Sequence, residues 1–120
     1  MAIAIGGSLG SETYHATKFA LEGWSDCLRL ETKPFGIDVV IIEPGGIKTD
    51  WGLIAADHLK KTSGNGAYAK AANRTAETMA KSYSGRQLSD PSVVVRTILE
   101  AVTARKPKTR YHCGTWLEQP

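Results

Sequence analysis

The run Ile37-Asp38-Val39-Val40-Ile41-Ile42 narrows the possible folds further than any other segment. Five of its six residues are apolar and β-branched, and such side chains fit a pleated strand better than a helix. Successive side chains of a strand point to opposite faces, so an almost unbroken apolar run needs cover on both. It predicts a strand buried on both faces, as in a parallel sheet between helices. Pro44-Gly45-Gly46 stops it sharply.

The neighbouring segments alternate around that strand. Ala2 to Ile5 predicts a short buried strand halted by Gly6-Gly7, and the Gly/Ser-rich stretch from Gly6 to Thr13 predicts a loop. A long helix follows over about Thr13–Thr32. Its apolar stripe is Ala16, Phe19, Ala20, Trp24, Cys27 and Leu28, at three-four spacing, with Cys27 expected in the core. Pro34 and Gly36 end it. From Lys48 to Leu88 the chain predicts Ala- and Lys-rich helical pieces, broken at Ser63-Gly64-Asn65-Gly66 and Ser84-Gly85. Asp90-Pro91 opens a last helix, with Asp as N-cap and Pro at the first helical position. Val94, Val95, Ile98, Leu99 and Val102 form its stripe and Pro107 closes it. Thr109 to Cys113 predicts a final short strand. Strand, helix, strand, helix, strand is an α/β pattern: a partial Rossmann-like parallel sheet with flanking helices. Ligands of such sheets bind beyond the carboxyl ends of the strands, here Gly6-Gly7 and Pro44-Gly45-Gly46.

Composition removes several functions. The 120 residues suit one domain. Lys+Arg number 15 and Asp+Glu 12, a charge of +3. Lys60-Lys61 and Arg105-Lys106-Pro107-Lys108 do not make a basic face, so nucleic acid is not an expected partner. No apolar run approaches the ~18 residues of a membrane span, and none has a signal peptide's layout. Two cysteines, Cys27 and Cys113, are too few for a disulfide scaffold or a zinc site. His58 and His112 lack metal-ligand spacing, so no metal is expected. A reduced, cytoplasmic protein is the expectation.

The chemistry lies at the start of the long helix. Tyr14 and Lys18 are four residues apart, one helical turn, and share a face. A free tyrosine titrates near ~10, too high for proton transfer at neutral pH. A nearby ammonium favours the phenolate and lowers that value. The pair is therefore a reasonable acid/base device, although Tyr-x-x-x-Lys alone recurs by chance.

Its surroundings are more specific. Tyr14-His15-Ala16-Thr17-Lys18-Phe19-Ala20-Leu21-Glu22-Gly23, followed after a helix and strand by Pro44-Gly45-Gly46-Ile47-Lys48-Thr49, closely resembles the second half of a short-chain dehydrogenase/reductase. The resemblance runs through Asp90-Pro91 and the strand after Lys108. It implies an NAD- or NADP-dependent oxidoreductase acting between a carbonyl and an alcohol, and the C-terminal half of a doubly wound fold. Tyr14 would exchange a proton with the substrate. Lys18 would hold the nicotinamide ribose and depress the Tyr14 pKa. Pro44 and Gly45 would shape the wall beside the nicotinamide. Ile47 would meet its carboxamide through the backbone, and Thr49 would bond near the carboxamide or diphosphate. Residues 1–120 would form one partial domain, with 50–88 covering the substrate.

The chain departs from the family pattern in three places. The dinucleotide-binding half and its catalytic Asn would lie upstream of Met1. The family's catalytic Ser, about a dozen residues before the Tyr, falls on Ala4; Ser8 and Ser11 are near but out of place. Loss of such an oxyanion donor costs about 10²–10³ in rate. The chain is expected to bind dinucleotide weakly alone, and to self-associate or pair with a complementing N-terminal half through an uncovered strand edge. An inactive remnant serving as an interaction module is the alternative. Gly6-Gly7-Ser8-Leu9-Gly10 and Gly64-Asn65-Gly66-Ala67-Tyr68-Ala69 look like phosphate-binding turns but have the wrong spacing or context, and Glu43 lies too far on to read a ribose. Trp24 reads as packing or subunit contact. Trp51, just past Thr49, reads either as packing or as a wall of the substrate mouth.

Overall fold

A computed structural model of the chain describes residues 12–85 and 87–115. The expected strand at Ala2–Ile5, the glycines after it, and Ala4, Ser8 and Ser11 lie outside the described residues. Helix α1 spans Glu12–Thr32. It passes into a single 3-10 turn at Lys33–Phe35 and stops at Gly36, whose φ of 72° is the left-handed conformation that glycine adopts freely. The order is then β1 (Ile41–Pro44), α2 (Trp51–Ser63), α3 (Ala69–Ser84), α4 (Ser92–Thr103) and β2 (Arg110–Cys113). β1 and β2 pair in parallel, Ile41 opposite Arg110 through Pro44 opposite Cys113. The result is an α/β arrangement with a two-stranded parallel sheet and flanking helices. No helix among the described residues is long and apolar enough to cross a membrane.

Two sequence expectations need correction. The apolar run does not form a strand from Ile37 to Ile42; the strand begins at Ile41, and Ile37 is exposed. A strand exists only where a ladder partner stands, and β2 offers four residues. Past Pro44, Gly45 N–H still donates to Cys113 O (2.7 Å), and Gly46 N–H donates to Thr115 O (2.9 Å) in an isolated antiparallel bridge. The apolar helix stripes are also not core among the described residues. Phe19, Trp24, Val95, Ile98, Leu99 and Val102 are exposed, and so is Cys27. A stripe shows which face needs cover, and no described element lies on these faces.

The opposite face of α1 meets the sheet, and it is polar. Glu22, Ser25, Asp26 and Arg29 recur at three-four spacing, and Ser25 is buried. The Arg110 guanidinium on β2 donates to Glu22 Oε2 (3.0 and 3.2 Å) and to both Asp26 carboxylate oxygens (2.9 and 2.8 Å). It also lies 3.4 Å from Glu43 on β1, which pairs with His112. Arg29 closes the group, donating to Asp26 and to Val39 O. Planar guanidinium donors suit such shared carboxylates better than a lysine would.

The apolar core lies between α2 and α3. Ala56, Leu59, Ala72 and Ala76 are buried, with Met79 and Ala80 packed against them. Three alanines let the helix backbones approach closely, and Asn73 Nδ2 donates to Gly64 O (3.0 Å) to hold the connecting turn. Before α4, Asp90 Oδ1 accepts from Ser92 N–H (2.9 Å), the capping role read from the sequence, although the helix begins one residue later than expected.

Two outcomes follow. Ala76→Leu should cost about 1–3 kcal/mol by overpacking, read as a lower melting midpoint, because Ala76 has no exposed surface. The Asp26 carboxyl is held below its ordinary 3.8 by hydrogen bonds from Arg110 and then Arg29. A native value below the unfolded one gives stability that is present above 3.8 and lost as pH falls beneath it. Acid melting curves should show that loss, and Asp26→Asn should flatten it.

Candidate functional site

Tyr14 and Lys18 sit on the first turns of α1. The Lys18 ammonium lies 5.4 Å from the centroid of the Tyr14 ring, inside the range of a cation–π contact. The one-turn spacing therefore makes them neighbours, as expected. His15 meets the same ring edge-on at 5.8 Å. Thr17 is turned back on the helix, its hydroxyl donating to Tyr14 O (2.7 Å).

Tyr14 is half open to solvent at 44%, and so is Trp51 at the same figure. Their rings stand 5.5 Å apart, tilted by 38°. Trp51 packs beside the phenol and keeps part of its indole exposed, so its place accommodates both readings, packing and wall. Trp51 opens α2, so Thr49, two residues earlier, lies within about 7 Å of backbone. Thr49 itself is exposed.

Pro44, Gly45 and Ile47 form the corner at the carboxyl end of β1. Ser89 N–H donates to Gly46 O (2.9 Å) and Lys48 N–H donates to Ser89 O (2.8 Å). This parallel bridge leaves the intervening Ile47 N–H facing away from Ser89. The Ile47 side chain packs on Gly114, whose φ is 87°; a Cβ there would lie 2.6 Å from Ile47 Cδ1. Ser89 and Thr115 share a hydroxyl contact of 2.7 Å beneath the same corner. Glu43 is engaged by Arg110 and His112, so it is part of the helix-to-sheet network.

Sequence reasoning missed Tyr83. Its ring lies 5.7 Å from Trp51, tilted by 58°. It also rests on Gly52, where a Cβ would meet Tyr83 Cγ at 2.0 Å. The only signals were a glycine in the first turn of a helix and a lone aromatic in an Ala-rich one, far apart in the chain. Burial, and then the charge of Tyr14, push the Tyr83 phenol above its ordinary 10.0.

The Tyr14 hydroxyl, Lys18 ammonium, Thr49 hydroxyl and outward Ile47 N–H are the hydrogen-bond donors among the residues that the sequence singles out. Among the described residues no G-x-G-x-x-G run joins a strand to a helix, the turn that seats a diphosphate in dinucleotide-binding folds. No group of three metal-ligating side chains occurs among them either.

Comparison with known proteins gives the same direction. Residues 3–60 match the family model described as short chain dehydrogenase. The chain is 32% identical to oxidoreductase BOA17 of Botryotinia fuckeliana over 114 residues, covering 92% of this chain and 40% of that protein. It is 38% identical to the probable short-chain type dehydrogenase/reductase VdlC of Helicobacter pylori, over 84% of this chain and 36% of the relative. A mitochondrial D-beta-hydroxybutyrate dehydrogenase from Rattus norvegicus is 33% identical, over 82% and 32%. The chain thus spans between a third and two fifths of the length of these relatives. No solved structure matches.

The raised Tyr83 value has a measurable result. A phenol whose native pKa lies above its unfolded 10.0 contributes stability that is whole below 10.0 and is lost as pH rises through the native value. Alkaline melting curves should show that loss in the native chain and a smaller one in Tyr83→Phe.

Proposed function

Because the chain belongs to the short-chain dehydrogenase/reductase family, we propose that it carries the proton-transfer side of an NAD- or NADP-dependent oxidoreductase acting on a carbonyl or alcohol. The observation that carries this reading is the Lys18 ammonium 5.4 Å from the Tyr14 ring centroid, with the Trp51 ring 5.5 Å from the same centroid. The nicotinamide, when bound, supplies or accepts the hydride at the substrate carbon. Tyr14 Oη gives a proton to the carbonyl oxygen in reduction and takes it from the alcohol in oxidation. The Lys18 ammonium, 5.4 Å from the ring centroid, places a positive charge beside the phenol where negative charge develops in the reaction.

Lys18 has a second task in this reading, holding the ribose hydroxyls. Thr49 and the outward Ile47 N–H hold the carboxamide end, with Pro44 and Gly45 as the flat wall beside it. α2 and α3, within 50–88, cover the substrate. Trp51 excludes water from one side of Tyr14, which strengthens every charge interaction there. The diphosphate needs a glycine-rich helix start that the described residues do not offer, so we propose weak dinucleotide binding by this stretch alone and tight binding with a complementing N-terminal half or within an oligomer. The unpaired thiols of Cys27 and Cys113 support a cytoplasmic setting.

A second reading, an interaction module without catalysis, draws on the exposed Phe19, Trp24, Leu99 and Val102. One experiment separates the two. The chain, fused behind the nucleotide-binding part of the Helicobacter pylori relative, is assayed for NADH- and NADPH-dependent carbonyl reduction. Activity that falls about 10²–10⁴-fold in Tyr14→Phe supports the enzyme, the size expected for a lost acid/base group. Dinucleotide binding without turnover in both forms overturns it in favour of the module.

A further inference from the structure

We propose that Tyr83 is a positioning residue for Tyr14, acting through Trp51: a run of three rings from α3 through α2 to α1 sets the direction of the phenol. This gives Tyr83 a role in the reaction proposed above and rests on that reading. The physical case starts from Gly52. The missing Cβ leaves room for the Tyr83 ring, whose Cγ, Cδ2 and Cδ1 would all lie within 2.5 Å of any side-chain carbon there. Gly52 is itself buried, so the ring closes over backbone rather than over solvent.

With Tyr83 seated there, Trp51 has a fixed neighbour at 5.7 Å and 58°. Trp51 in turn stands 5.5 Å and 38° from the Tyr14 ring. Both separations fall within the range of favourable aromatic pairs. The remaining neighbours of Tyr14 cannot do this work. His15 and Lys18 belong to the same helix, so they move with the phenol and cannot fix it against another element. The aromatic run reaches across from the α2–α3 pair to α1. Rotation of the Tyr14 side chain toward α2 is blocked as long as Trp51 is propped from behind. Misplacing a catalytic group by about 1 Å can cost about 10²-fold in rate, so this propping bears on the chemistry although Tyr83 does not touch the substrate.

The test needs neither cofactor nor substrate. The chain contains four tyrosines, and their ring resonances can be followed by NMR after isotopic labelling of tyrosine. Tyr68 is exposed beside the α2–α3 turn, and Tyr111 is buried in β2; both report whether the fold survives. Tyr83→Leu keeps an apolar group over Gly52 but removes the ring, and Tyr83→Phe restores it. The expected result is a shift of the Tyr14 ring signals in Tyr83→Leu with Tyr111 unmoved, and near-native Tyr14 signals in Tyr83→Phe. In the active fusion, Tyr83→Leu should lower kcat about tenfold and leave the dinucleotide KM unchanged, a fraction of the full penalty for misplacement. Unchanged Tyr14 signals in Tyr83→Leu overturn the proposal. A shift of Tyr14, Tyr68 and Tyr111 together overturns it as well, since Tyr83 would then serve the fold at large. Shifts as expected in a fusion that never turns over would sink the oxidoreductase reading and leave the ring run standing.

Discussion

The place of α1 on the sheet hangs from the Arg110 guanidinium. It joins three elements: Glu22 and Asp26 of α1, Glu43 of β1, and its own strand β2. α1 turns polar side chains toward the sheet and leaves apolar ones outward, so hydrophobic burial does not fix its place among the described residues. Charge-assisted hydrogen bonds do. Exposed single ion pairs contribute little, but here several carboxylates converge on one planar donor and Arg29 locks one of them, the arrangement in which ion pairs become geometrically specific.

That anchor lies some distance from the chemistry. Glu22 is eight residues beyond Tyr14, about 12 Å along the helix at 1.5 Å per residue. A helix held firmly at its middle can still swing at its end. The aromatic run of Tyr14, Trp51 and Tyr83 acts at that end, on the first turn, where the ionic group does not reach. The two attachments differ in character: one is directional and answers to acid through Asp26, the other is apolar and answers to alkali through Tyr83.

The elements were largely legible because local rules govern them. Gly36 ends α1 through its left-handed φ, Asp90 caps α4, and Ser63 to Gly66 separates α2 from α3. The Tyr14–Lys18 pair was legible because one helical turn forces contact whatever surrounds it. What failed were the statements about cover and pairing. The run Ile37 to Val40 has strand propensity but nothing to pair with among the described residues, and Cys27 has a stripe position but no cover. Periodicity states a demand; only tertiary structure states whether it is met. Tyr83 and Gly52 were illegible for the same reason, since a ring seated on a distant stretch of backbone leaves no periodic trace.

The uncovered stripes and the partial match to longer relatives bear on each other. The chain corresponds to 32–40% of those proteins, while Phe19 and Trp24 on α1 and Val95, Leu99 and Val102 on α4 remain exposed. Isolated surface apolar residues are ordinary, but large ones at helical spacing on two helices are not. In the function proposed above the site is similarly lopsided, with donors for a sugar and a carboxamide but, among the described residues, no G-x-G-x-x-G run to receive a diphosphate. Packing demand and ligand demand therefore fall on the same side of the molecule's chemistry: each asks for more sheet and more helix alongside α1. Until such cover is supplied, the ionic and aromatic attachments of α1 are what hold its first turns in place.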